Sequence, residues 1–538
     1  MSAPMTGGEA LVAALAAHDA DTVFGIPGTH NLPVYAALTR QGIRHVSPRH
    51  EQGAAFAADG WARAGGRPGV CLTTTGPAVL NAATAAAQSY SDSVPVLLVS
   101  PGMPVRHPGR GNGLLHEVKD QRAALDAVVA YSHRVTTVAE IPFAVAQAYA
   151  HMATGRPRPV HLEIPLDLLD EQAPVQVVPP VTVPPATPAP AAVLAAVRAL
   201  ATAERPVIIA GGGSAGAARE LRTTAELLGA PVVTTANGKG ALGDGHPLAV
   251  GAGLHHPAVH DLVAGSDAVL AVGTELAPAD LWNGPLKRTG ALVRIDVDAQ
   301  AATTNELPDV AVVADAALAL RAIHRGLTAV VGPPSRDHTR AAEARAAEVR
   351  AARDAQARSE GADHLDLTAA IAGALGADGV LAADSAMAAY YGALSNLPAQ
   401  HPRSFLYPTG LGTLGYALPA AIGAKLARPG TPVVALHGDG GLMFTVQELA
   451  TAAQLRLPLP VVVSDNGGYG EIRNEMADRH DPVHAVDLPG PDFVALARAL
   501  GCHGERADTP ERLAEALNNA LAADRPTLIH WPEKAATG

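Results

Sequence analysis

The chain is 538 residues long, with a formal net charge of -12, 48% hydrophobic residues and only 3% aromatic ones. That length exceeds one ordinary domain, and at roughly 150 residues per domain it suggests three or four, of which three is adopted. The acidic balance without any Lys/Arg-rich block excludes a nucleic-acid or anionic-membrane footprint. No apolar run reaches the ~20 residues that span a bilayer, and Met1 to Glu9 lacks the pattern of a secretory signal, so a cytoplasmic protein is expected.

Apolar runs at 70–72, 95–99 and 159–164 predict strands of a first domain, 1–172. The stretch 173–191, with Pro179-Pro180 and Pro184-Pro185, favours an extended linker. Runs at 207–210, 232–235, 268–272 and 292–297 predict a second domain, 192–331. Gly332-Pro333-Pro334 then leads into a polar Ala/Arg/Glu-rich helix ending near Gly361, and runs at 379–382, 432–436, 459–464 and 527–531 predict a third domain, 362–538. Short apolar runs alternating with helical patterns read as an α/β protein of three doubly wound parallel-sheet domains.

In the middle domain Gly211, Gly213 and Gly216 follow a strand and open a helix, as a dinucleotide-binding turn would. The next strand ends in Thr-Ala-Asn rather than the acid that would hold a ribose, so a structural tight turn is the favoured reading. Cys71 and Cys502 lack metal-ligand spacing and are expected as buried thiols.

The strongest chemical signal is Gly438-Asp439-Gly440-Gly441 after one strand and Ser464-Asp465-Asn466-Gly467-Gly468 after the next. Asp439 and Asn466 are thereby expected at the C-terminal ends of strands, where open parallel sheets place ligands. A carboxylate, an amide oxygen and a backbone carbonyl are hard ligands that suit Mg²⁺ completed by phosphate oxygens and water. The glycines let backbone N–H groups approach a diphosphate. Either piece alone would read as an ordinary strand-to-helix turn.

Together the two pieces resemble the thiamine diphosphate motif of the acetohydroxyacid synthase and benzoylformate decarboxylase superfamily. Asp465 departs from the Asn that the family carries beside its metal-binding Asn. Val23-Phe24-Gly25-Ile26-Pro27-Gly28, Arg49-His50-Glu51-Gln52-Gly53-Ala54, Gly76-Pro77 with Asn81, and Gly412-Thr413-Leu414-Gly415-Tyr416-Ala417 match in order as well. Gly76-Pro77-Ala78 departs from the usual Gly-Pro-Gly. The resemblance implies a pyrimidine-binding, a Rossmann-like middle and a diphosphate-binding domain. It implies thiamine diphosphate held by Pro27, Gly28, Glu51, Asn81, Ser385, Gly412, Leu414, Gly438, Asp439, Gly440, Gly441, Asn466, Gly468, Tyr469 and Gly470, with Mg²⁺ on Asp439, Asn466 and the Gly468 carbonyl. It also implies a homodimer or a dimer-of-dimers tetramer, because in the family two chains share each active site.

In that family a glutamate, here Glu51, shares a proton with the aminopyrimidine ring, and Leu414 stands where a bulky residue folds the cofactor. The activity implied is decarboxylation of a 2-oxo acid. Similarity to 5-guanidino-2-oxopentanoate decarboxylase-like proteins runs through Leu114-Leu115-His116-Glu117, Asn237-Gly238-Lys239-Gly240 and Gly468-Tyr469-Gly470-Glu471-Ile472-Arg473. His116 is a candidate proton donor, with His30 and Thr29 beside it in rank. Glu471, Ile472 and Glu475 are candidate substrate contacts, since residues one turn apart share a helix face and carboxylates pair with a guanidinium. Solvent exposure, or pairing of Glu471 with Arg473 or Arg479, is the competing expectation. An acetolactate synthase-like carboligase is the alternative activity, with a nicotinamide dehydrogenase or a non-catalytic binding protein further off. FAD is disfavoured but not excluded, because Gly251-Ala252-Gly253-Leu254-His255-His256 lacks the Gly-x-His-Gly signature of the flavin-binding synthases.

Overall fold

The computed structural model describes residues 4–533; the extreme ends of the expected first and third domains, 1–3 and 534–538, lie outside the described residues. Three six-stranded parallel sheets follow one another along the chain. From edge to edge the first carries Arg44–Val46, Thr22–Gly25, Gly69–Leu72, Val96–Gly102, Val160–Pro165 and Ser132–Arg134. The second carries Ala249–Ala252, Val232–Thr234, Pro206–Ala210, Ala268–Val272, Ala291–Asp296 and Val310–Val313. The third carries Phe405–Leu406, Val380–Ala383, Val433–Gly438, Pro460–Asp465, Thr527–Pro532 and His503–Arg506.

With strands numbered in chain order inside each sheet, the first and third both run 2-1-3-4-6-5, while the middle one runs 3-2-1-4-5-6. Each order reverses beside its first strand, and the crevice at that reversal, beyond the strand C-termini, is where such sheets take ligands. In the third sheet the reversal lies between the ends of Val380–Ala383 and Val433–Gly438, which puts Ser385 and Asp439 on its two sides. In the middle sheet it lies between Ala210 and Val272, and Gly211 and Gly213 stand there. A Cβ on Gly211 would lie 2.2 Å from the Gly273 carbonyl, and one on Gly213 2.8 Å from the Gly273 Cα. Close backbone approach therefore accounts for these two glycines. A 3₁₀ turn, Gly212–Ala217, precedes the α-helix Ala218–Leu228.

Short antiparallel strands Pro4–Thr6 and Gln172–Pro174 close the first unit. Helix Pro190–Ala201 begins after an irregular stretch, with proline where its missing N–H costs nothing. The polar helix Arg336–Glu360 is capped by the Ser335 hydroxyl. Helix Glu51–Gly65 lies against helix Ala417–Ala427, burying Ala54, Ala57, Ala58 and Trp61 with Ala417, Ala420, Ala421 and Ala424 in one core shared by the first and third units. Gly60 and Gly423 allow that crossing: a Cβ on Gly60 would stand 2.1 Å from the Ala420 carbonyl, and one on Gly423 1.9 Å from that of Ala57. Both cysteines are free and buried. No helix among the described residues is long and apolar enough to cross a membrane.

Candidate active site

On the third sheet, strand Val433–Gly438 delivers Asp439 into the turn Asp439–Leu442, and strand Pro460–Asp465 delivers Asn466. Asp439 Oδ1 and Asn466 Oδ1 are both buried and have no hydrogen-bond partner. Unmet buried acceptors cost free energy, so two of them on adjacent strand ends suit a hard cation. Burial, and then the charge of Asp465, pushes the Asp439 carboxyl up to about 6, which marks a site short of positive charge. Gly467 and Gly468 both take positive φ, at 80° and 141°, and a Cβ on Gly468 would meet the Val486 carbonyl at 2.0 Å. The Gly468 carbonyl lies 3.7 Å from where a Cβ on Gly440 would stand, and the Tyr469 ring packs against the same glycine. These residues fit a Mg²⁺ diphosphate.

Asp465 accepts from the Gly467 N–H at 3.0 Å and lies 2.8 Å from His530 Nε2, so the residue that departs from the family pattern holds the turn. Ser385 and Gly412 face one another, with Ser385 Oγ 3.9 Å from an ideal Gly412 Cβ, and Leu414 Cδ2 comes within 3.8 Å of the corresponding position on Gly441. Gly470 packs on the Asn466 side chain and Met387. Beneath them lies a pair the sequence reading missed. Asp384 and His437, both wholly buried, are joined at 2.7 Å, and Asp384 accepts the N–H groups of Gly415 and Tyr416. His437 Nε2 takes the Leu418 N–H, so this pair fixes the Gly412–Gly415 loop against the Asp439 strand.

On the first sheet, Glu51 starts helix Glu51–Gly65 and accepts from Asn81 Nδ2 at 3.0 Å. Glu448, from the third unit, accepts the Arg49 and His50 N–H groups and so anchors the turn that presents Glu51. It fills the space left by Gly53, and burial pushes its carboxyl up to about 7. His30 and His116 meet edge to face at 5.2 Å, and His30 Nδ1 lies 2.9 Å from Thr75 Oγ1. Burial, then His116, lowers the His30 pKa, which leaves it neutral at neutral pH. Gly76 takes φ 61° beneath the His116 carbonyl and donates to Gln121, which fixes the loop despite its Gly-Pro-Ala sequence. Pro27 and Thr29 are exposed, and the Gly28 N–H is taken by Asn31. No hydrogen bond among the described residues joins the Glu51–Asn81 pair to Asp439 or Asn466.

Helix Gly470–Asp478 carries the remaining candidates. Arg473 pairs with Asp487 and Arg479 with Asp481, so neither takes Glu471. Glu471 Oε1 instead accepts from the Tyr391 hydroxyl at 2.7 Å, while its Oε2 is buried without a partner. Ile472 and Glu475 are exposed. A cavity of about 920 Å³ opens elsewhere, at the middle-sheet reversal, bordered by Gly213, Thr274, Asp280, Asp296, Arg156 and Arg403. It includes none of Glu51, Asp439 or Asn466.

Three stretches match descriptions of one family: residues 5–124 the thiamine pyrophosphate enzyme N-terminal TPP binding domain, 193–323 its central domain, and 383–531 its C-terminal TPP binding domain. The chain is 42% identical over 532 residues to a "Probable 2-ketoarginine decarboxylase" of Pseudomonas aeruginosa, covering 98% of this chain and 93% of that protein. It is 32% identical over 563 residues to a "Probable acetolactate synthase large subunit" of Methanococcus aeolicus, covering 98% and 92%. Against an acetolactate synthase large subunit of Mycobacterium tuberculosis it is 33% identical over 565 residues, covering 98% and 88%. With all three domains in order and relatives matched along nearly its whole length, the chain belongs to the thiamine pyrophosphate enzyme family.

Proposed function

We propose that the protein is a Mg²⁺-dependent decarboxylase of a 2-oxo acid with a cationic tail, of the 2-ketoarginine type. The observation that carries the substrate reading is Glu471, a carboxylate one turn beyond the Asn466 loop that no arginine among the described residues neutralises. A guanidinium entering a partly desolvated site needs such a partner. The 2-ketoarginine decarboxylase named among the relatives supports the same assignment.

Thiamine diphosphate, when bound, supplies the carbon nucleophile and the electron sink for loss of CO₂. Asp439, Asn466 and the Gly468 carbonyl would hold Mg²⁺, and the N–H groups of the Gly438–Gly441 turn would take the diphosphate. Leu414 would press on the cofactor from the Gly412–Gly415 loop. Glu51 keeps one oxygen on Asn81 and offers the other for a proton shared with the cofactor's pyrimidine nitrogen. His116 would return a proton to the substrate carbon, with the His30 ring packed edge to face against it. Glu51 and Asp439 would act from different chains of a homodimer or a dimer-of-dimers tetramer. Leu80, Leu411, Met443 and Phe444, each 39–50% exposed around these loops, support a covering partner.

The acetolactate synthase relatives favour a second reading, carboligation. A panel of 2-oxo acids with Mg²⁺ and thiamine diphosphate, scored for aldehyde and acyloin, separates the two. The proposal requires aldehyde and a preference for the guanidino acid; acyloin from pyruvate would replace it with the synthase reading. The protein is expected to purify without flavin, and absorbance near 450 nm would overturn that.

A further inference from the structure

Three aromatic side chains from two distant segments converge beside Glu471. Tyr390 and Tyr391 belong to a π-helical turn, Ala388–Ala393, a rare geometry that widens the helix. Their rings meet at 4.6 Å. Trp282, from the middle unit, stands edge-on to both, at 6.2 Å from Tyr390 and 6.0 Å from Tyr391. His255 stacks flat against Trp282 at 3.9 Å, and His255 Nε2 lies 3.1 Å from a Glu360 carboxylate oxygen. Trp282 is also tied by its indole N–H to the Ala279 carbonyl, and it holds a positive φ of 41°. A tryptophan 40% exposed, in strained backbone and fixed at ring face and indole nitrogen, is held in place by contacts other than core packing.

Three carboxylates lie around these rings. Burial first, and then Glu471, Glu360 and Glu475, raise the Tyr391 pKa, so all three carboxylates act on one hydroxyl. Burial and Glu471 raise that of Tyr390 as well. Among the described residues no basic side chain is paired with Glu471, and its Oε2 is a buried acceptor still lacking a donor. Aromatic faces, clustered carboxylates and an unmet acceptor together form a site for a flat, weakly hydrated cation, because a guanidinium stacks on rings while donating to carboxylate.

We infer that Trp282, Tyr390 and Tyr391, with Glu471, form the seat of the substrate's cationic tail, Tyr391 orienting the carboxylate and Trp282 supplying the wall. Trp282 thereby makes the middle domain part of substrate selection. The inference rests on the proposed decarboxylation of a cationic 2-oxo acid.

The test compares kcat/KM for 5-guanidino-2-oxopentanoate and for 2-oxohexanoate in wild type, Trp282→Phe, Trp282→Leu and Glu471→Gln. The ratio of the two values should fall roughly ten- to thirtyfold in Trp282→Leu and in Glu471→Gln, chiefly through KM, with Trp282→Phe between wild type and leucine. Competitive inhibition by 5-guanidinopentanoate, which cannot be decarboxylated, should weaken in the same order. Wild type that does not favour the guanidino acid would defeat the functional reading. Wild type that favours it, with the ratio and the inhibition constant unchanged in the Trp282 and Glu471 variants, would overturn this assignment alone.

Discussion

Replacing Gly423 by alanine should damage catalysis from a position that touches neither substrate nor cofactor. The added methyl would stand 1.9 Å from the Ala57 carbonyl oxygen, about 1.4 Å short of the ~3.3 Å at which a carbon normally meets such an oxygen. Both partners are helical backbone in a close-packed Ala/Gly crossing, so the helices themselves must part by more than about 1 Å. Overpacking of that kind costs about 1–3 kcal/mol. Helix Glu51–Gly65 begins with Glu51, so the shift passes to the carboxylate, and a displacement of about 1 Å at a reacting group costs on the order of 100-fold in rate. Gly373→Ala is the control, an exposed glycine of helix Leu365–Leu375 with open space where its Cβ would go. Steady-state kcat and the thermal midpoint of both variants decide the matter: Gly423→Ala should lose both, Gly373→Ala neither. Wild-type kcat in Gly423→Ala would refute the claim that this crossing positions Glu51.

Asp439→Ala and Asn466→Ala should each raise the Mg²⁺ concentration for half-maximal activity by at least about tenfold, and an unchanged titration would place the metal elsewhere. Glu448→Ala leaves the Arg49 and His50 N–H groups without their acceptor and should cost about 1–3 kcal/mol in denaturant unfolding, with kcat falling more than KM rises; an unaltered kcat would show that the Glu51 turn holds itself. His161 lies buried between the Ser100 and Ser132 hydroxyls, and burial lowers its pKa from 6.5 to about 3. The unfolded chain therefore takes up a proton near pH 6.5 that the fold refuses until about pH 3. Stability present above pH 6.5 is lost as pH falls through that window, by on the order of 5 kcal/mol at this one group. Urea midpoints that stay level between pH 7 and pH 4 would contradict this.

The parallel-sheet architecture was legible because strands buried on both faces, such as Val433–Gly438, read as continuous apolar runs. Edge strands Arg44–Val46, Ser132–Arg134 and His503–Arg506 escaped because half-exposed edges carry polar residues and no such run. Loop residues were legible where glycine chemistry marks a ligand turn, as at Asp439 and Asn466. Asp384, Glu448, Tyr391 and Trp282 were not, because each meets its partner only across the fold; Glu448 reaches Arg49 over 399 positions of sequence. His437 did leave a signal, a histidine inside an otherwise apolar strand, which needs a buried partner and has one in Asp384. Arg473 and Arg479 could not be separated from Glu471 by spacing alone; the structure gives them Asp487 and Asp481.

The most direct test of the account is release of CO₂ from 5-guanidino-2-oxopentanoate by protein stripped of cofactor and metal, then resupplied. Activity should require both thiamine diphosphate and Mg²⁺, yield the aldehyde in step with CO₂, and fall by about 100-fold or more in Glu51→Gln protein that still binds the cofactor. Turnover without thiamine diphosphate, or wild-type rates in Glu51→Gln, would contradict it.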